Sequence, residues 1–204
     1  RSWLYNGVFA LKPSSEAEAE SALQATLRII KDAEFNSGIV GSGTDNYGTI
    51  SGGTFQADVD NNGTISGGTF QRVVFNNDTI SGGSFLGDMN NWGTISGGIF
   101  LGGYNYQTIS GGTFQGMVGN TGTISNGTFQ GGSYNFRGTI SNGTFQGILH
   151  NDSGTISGGT FKEAVEVNAA SGTEAKIEGG TFEKRVTLKR SDTPITISNG
   201  LFNG

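Results

Sequence analysis

The chain has no cysteine, one histidine, two methionines and two prolines in 204 residues. Without cysteine there is neither a disulfide framework nor a thiolate metal site. With His150 as the single histidine, no two-histidine metal site or histidine relay can be assembled. Hydrophobic residues reach only 33%, a poor supply for a conventional globular core. No run approaches the roughly 18 apolar residues that a spanning helix needs, so no membrane insertion is expected. Positive charge is scarce as well: 12 Lys and Arg stand against 17 Asp and Glu, a net charge of −5. Nucleic acid is therefore excluded as an expected partner, since its binding needs a basic face. No Ser lies in a Gly-X-Ser-X-Gly elbow, and the Gly-Gly pairs do not continue into a calcium nonapeptide. A chain that opens on Arg1 is expected to be a processed or excised piece, its signal peptide or wall anchor removed.

What is abundant is glycine, 37 residues in all, and it recurs within a single phrase, Thr-Ile-Ser-Gly-Gly-Thr-Phe. Its Ile stands at 50, 65, 80, 95, 109, 124, 140, 156, 177 and 197, and a Phe follows each one five residues later, from Phe55 to Phe202. A period of 14 to 16 residues sustained this long marks a solenoid in which each copy is one coil stacked on the last. The expected fold is all-β: a single-stranded β-solenoid of about ten coils. Collagen is ruled out because the glycines have no three-residue period.

Counting each coil from its Ile as zero, position three is always Gly and position two is Gly or, at 126, 142 and 199, Asn. Exchange of Gly with Asn alone predicts positive φ and a sharp corner at position two. Position nine is apolar at Val59, Val74, Met89, Tyr104, Val118, Leu149, Val165 and Val186, with Ser133 a lapse beside Tyr134. Position seven is small in most coils but is Arg72, Glu163 and Lys184 in three. Burying those charges unpaired would be costly, so a second corner is expected there and the coil is read as triangular.

Three organisational units follow. Residues 1–40 are expected to form a hairpin around Asn6-Gly7 and then an amphipathic capping helix. Ser15 and Glu18 would make its capping box, and Ala19, Leu23, Leu27, Ile30 and Ala33 its apolar stripe. Residues 41–161 are the regular coils. Residues 162–204 form longer, more charged coils, whose insertions after Asn168 and Lys189 are expected to bulge from the corner at position ten.

The prism offers three outer faces. Face one pairs Thr at position minus one with Ser at plus one: Thr49/Ser51, Thr64/Ser66, Thr79/Ser81, Thr94/Ser96, Thr108/Ser110, Thr123/Ser125, Thr139/Ser141 and Thr155/Ser157. Face two carries mostly Thr and Gln at positions four and six. Ladders of like hydroxyls and amides satisfy one another and suit strands, which is explanation enough for both. Face three, at positions eight and ten, is irregular and has Phe75, Trp92, Tyr104, Tyr106, Tyr134 and Phe136 on or beside it. Exposed aromatics mark contacts with protein, or with sugar rings when a shallow groove presents their faces.

Asp58-Val-Asp60-Asn-Asn62-Gly63 matches the first half of an EF-hand loop, but the twelfth position, which requires Glu, is Thr69. Asp58, Asp60 and Asp88 are the only acidic cluster for glycoside hydrolysis, and near-identical coils leave no cleft to raise the pKa of one of them. No cofactor, metal or catalytic residue is expected, and His150 reads as solvated.

The string Gly-Thr-Ile-Ser-Gly-Gly-Thr-Phe-Gln-Gly, with Ile-Glu-Gly-Gly-Thr-Phe and Ile-Ser-Asn-Gly-Leu-Phe near the end, resembles the repeats of large bacterial surface proteins across about residues 44–204. That resemblance implies a right-handed β-helical stalk, secreted or displayed at a cell surface, with an adhesive role toward a glycan or protein. Face one also resembles the Thr-X-Thr arrays of β-solenoid antifreeze proteins, which implies ice as an alternative ligand. Here, however, every second column is Ser, which lacks the methyl group. A carbohydrate-binding or -cleaving β-helix of tailspike type is the third reading.

Overall fold

The computed structural model describes residues 26–170, 172–189 and 192–204. Over them the chain is a parallel β-solenoid, with three short strands per coil and bends at positions two, seven and twelve to thirteen. The Ile strands form a sheet of eleven parallel rungs, pairing like with like: Ile50 on Ile65, Ile80 on Ile95, Ile156 on Ile177. The Phe strands and the position-nine strands build two further ladders in the same way. These two merge into one sheet because Ser84–Asn91 and Ile99–Asn105 run as single strands across the bend at position seven.

The core is a set of columns. Each position-zero Ile and each position-five Phe from Ile50 to Phe182 is essentially inaccessible to water, and each such side chain contributes about 1.5–3 kcal/mol by burial. Consecutive Phe rings from Phe55 to Phe202 stack with centroids 4.5–5.0 Å apart and planes within 6–16°. The apolar area of a coil is thus buried mainly against its two neighbours rather than within itself.

Several expectations are corrected. Leu27, Ile30 and Ala33 do not belong to a helix: Leu27–Ile29 is a strand paired with Thr44–Asn46, and Phe35 and Val40 stand in the Ile and Phe columns. In Leu-Arg-Ile the two-residue alternation, templated by the next coil, outweighs the helical spacing. Among the described residues the solenoid therefore extends more than one coil ahead of the first copy of its phrase. The hairpin and the rest of the helix lie outside the described residues.

Positive φ belongs to position three, not two: from Gly53 to Gly200 that glycine has φ between 92° and 144°. Asn126, Asn142 and Asn199 keep negative φ. In coils with Gly at position two the backbones approach closely, so that a Cβ on Gly67 would stand 2.3 Å from the Ser51 carbonyl oxygen.

Tyr104 does not point inward. The coil from Ile95 to Ile109 is one residue short, so Gly103 pairs with Met89 and Tyr104 with Asn90, leaving Tyr104 50% exposed. In the two 16-residue coils the extra residue, Arg137 or Ser153, takes φ 57° at the third corner. The longer insertions open there too: Val165–Asn168 continues in register past position ten, and the loop begins after Asn168.

The third side also holds a second inward column that the sequence reading missed. Asn46, Asn61, Asn76, Asn91, Asn105, Asn120, Asn135 and Asn151 are all buried at position eleven. Each Nδ2 donates to the Oδ1 of the next, at 2.6–2.7 Å. The second Nδ2 proton goes to a backbone carbonyl, for example Gly63, Gly93 or Gly154. The column ends in aliphatic side chains, Ile29 before Asn46 and Val167 after Asn151. A buried amide is tolerated when every donor and acceptor is used, and here the repeat supplies the partners.

Candidate binding faces

On face one the threonines pair rung on rung from Thr49 to Thr155 in a single column. Their serine partners point the hydroxyl proton back toward the chain: Ser66, Ser81, Ser96, Ser110, Ser125, Ser141 and Ser157 each donate to the Ile carbonyl of the preceding coil, at 3.1–3.5 Å. Ser51 instead donates to Glu34. Among the described residues of this column only Thr79 has its hydroxyl bonded to a side chain, Asp78, at 3.1 Å. The array is bounded by charge, with Glu34 at one end and Lys176, held 3.5 Å from Glu174, at the other.

Face three has two outward columns beyond position eight, at ten and at twelve. Column twelve was not recognised in the sequence, because it coincides with the Asn-rich corner. It carries Trp92 and Tyr106, while Phe75 and Tyr104 stand in column ten. The structure joins these four rings. Trp92 lies between Phe75 at 6.3 Å and Tyr106 at 4.9 Å, and Tyr104 is 6.4 Å from Tyr106, all near parallel. Tyr104 leans over Gly119, where a Cβ would come within 2.7 Å of its ring. Trp92 and Tyr106 cover each other face to face, while Phe75 and Tyr104 flank them with an offset, at 6.3 and 6.4 Å.

The remaining two candidates lie apart from this strip. Tyr134 stacks on His150 at 4.5 Å, and Phe136 stands under the Arg137 guanidinium at 5.1 Å. His150 is thus not a solvated bystander: its Nδ1 is 3.3 Å from Glu166 Oε2, which also takes Lys189 Nζ at 2.7 Å. The Lys189 hydrogen bond holds the Glu166 carboxyl below its ordinary range.

At the opposite end Asp60 is shifted up, first by desolvation and then by the nearby charges of Asp45 and Asp58. One Asp58 oxygen accepts the Val73 N–H at 3.2 Å. Among the described residues no group of three His, Cys, Asp or Glu side chains is placed to hold a metal ion, and no helix is long and apolar enough to cross a membrane.

The fold and its faces define a repeat β-solenoid. No protein-family model matches the chain, and comparison with curated proteins and with solved structures returns no match.

Proposed function

We propose that this protein is a non-enzymatic stalk, secreted or displayed at a cell surface, whose third face makes multivalent contacts with another protein. The observation that carries this reading is an asymmetry among the faces. Faces one and two largely repeat one pattern, whereas face three changes from coil to coil and gathers an acidic end, a strip of four rings and an ionic end. Stacked coils make such a face rigid, so several weak contacts act together and gain avidity.

The ring geometry favours protein over sugar. A sugar docks its C–H groups on the π face of a ring; one face of Trp92 is already covered by Tyr106 at 4.9 Å, and Phe75, offset at 6.3 Å, crowds the other. What remains is a row of apolar edges, suited to side chains of a protein surface. The test compares beads carrying the chain with beads carrying Trp92→Ala/Tyr106→Ala on arrays of extracellular proteins and of glycans. Spots on the protein array that fade in the double variant are expected. Glycan spots abolished by Tyr104→Ala, or binding on neither array, would overturn the reading.

Face one supports a second reading as an ice-binding surface, because its threonines form one registered column with hydroxyls largely free of protein partners. Against it, the serine hydroxyls point their protons at backbone carbonyls. Thermal hysteresis and recrystallisation inhibition, each abolished by Thr94→Tyr, would establish it; their absence at high concentration removes it.

A further inference from the structure

Within the regular coils, from Thr54 to Gln146, face two departs from its Thr and Gln pattern at one place. In two adjacent coils Leu86 and Leu101 replace the usual Gln, and Ser84 and Ile99, paired with each other, replace the usual Thr. Leu86, Leu101 and Ile99 point outward and are 55%, 51% and 49% exposed. Phe85 pairs with Phe100 directly beneath, so the two leucines are neighbours on successive rungs. The same two coils are those whose strands run unbroken across the bend at position seven, which widens the sheet under the patch. Two coils of Thr and Gln lie on one side, out to Gln56, and three on the other, out to Gln146, with no charged residue at positions four or six.

At position six the order of this strip, Gln-Gln-Leu-Leu-Gln-Gln from Gln56 to Gln130, is the same read from either end, and at position four the small Ser84 stands where the reversed order brings Ile99. We propose that face two is the interface of an antiparallel homodimer, with the two-fold axis lying across the rods, midway between the coils of Leu86 and Leu101. Such an axis sets each Leu86 on the partner's Leu101 and matches Thr and Gln coils with Thr and Gln coils. Both copies share the strand spacing of ~4.8 Å, so six rungs align at once. An isologous contact requires this self-complementarity; an unrelated partner would need the leucines but not the symmetry around them. Charge points the same way. The chain carries −5 overall, and on this strip, as on face one, two acidic copies meet without like charges opposed, but only this strip adds an apolar centre. An apolar centre within a polar rim is also the ordinary anatomy of an interface. Six rungs cover on the order of 400–500 Å² per copy, below the ~800 Å² of a standard interface, so the dimer is weak and reversible.

The test is sedimentation velocity on the whole chain from micromolar to millimolar concentration, with two sets of variants. The sedimentation coefficient rises toward that of a dimer with concentration, and Leu86→Lys/Leu101→Lys weakens association at least tenfold with an unchanged circular dichroism spectrum. Because the chain has no cysteine, separate Leu86→Cys and Leu101→Cys proteins can be mixed and oxidised. Mixed disulfides are expected to outnumber like-with-like ones. A monomer throughout the range, like-with-like disulfides in excess, or undiminished association of the lysine variant would each overturn the proposal.

Discussion

Asn91 donates an amide hydrogen bond to Asn105 at 2.7 Å inside the core, although fourteen residues of chain separate them. Asn105 in turn donates to Asn120, also at 2.7 Å. Replacing Asn105 with Ala leaves one donor and one acceptor buried without a partner. At about 1–3 kcal/mol for each unsatisfied group, the variant should lose roughly 2–6 kcal/mol, read from the denaturant midpoint. A loss under about 1 kcal/mol would mean that water enters the column.

Ser133 holds an inward place between Val118 and Leu149, and its buried hydroxyl has no partner. Ser133→Val continues the column and removes the orphaned group. Stability should rise by roughly 1–2 kcal/mol, with an unchanged denaturant m-value. A fall would show that the neighbouring side chains already fill the space.

Phe114 stacks on Phe100 at 4.7 Å and Phe129 at 5.0 Å and is wholly buried. Phe114→Ala opens a cavity between two coils and should cost about 3–5 kcal/mol in equilibrium unfolding. Near-normal stability would contradict the column as the main source of cohesion.

The two perturbed carboxylates have opposite signs. Glu166 is lowered by Lys189, so its pairing stabilises the fold above the unfolded Glu range and is lost as pH falls through the lowered value. Asp60 is raised by desolvation and by Asp45 and Asp58, so its ionisation works against the fold as pH rises. At pH 7, Glu166→Gln should melt below the parent and Asp60→Asn above it. Both differences should vanish in strongly acidic buffer, where the carboxyls are protonated in either state. Melting curves at the two pH values check this.

Much of this architecture could be read from the sequence because a solenoid writes its contacts as a period: the Ile and Phe columns were visible as soon as the phrase was aligned. The Asn column recurs just as regularly, four or five residues before each Ile from Ile50 to Ile156. It was hidden because Asn beside Gly has the composition of a surface turn, and only its neighbours one coil away show that its amide is paired. Tyr104 was misplaced for a related reason: a single missing residue shifts the inside-outside alternation, and counting from Ile95 cannot show where the chain closes the gap. The faces were legible as columns of residue types. The stacking of Phe75, Trp92 and Tyr106 was not, since it depends on ring orientation rather than spacing.

Every coil between Asn46 and Asn151 offers its successor the same template of Ile, Phe and amide that it received. A duplicated coil spliced anywhere in that span would find all of its partners waiting. Rod length is therefore a matter of copy number, and unequal recombination could lengthen or shorten the molecule in increments of ~4.8 Å without any new packing problem to solve.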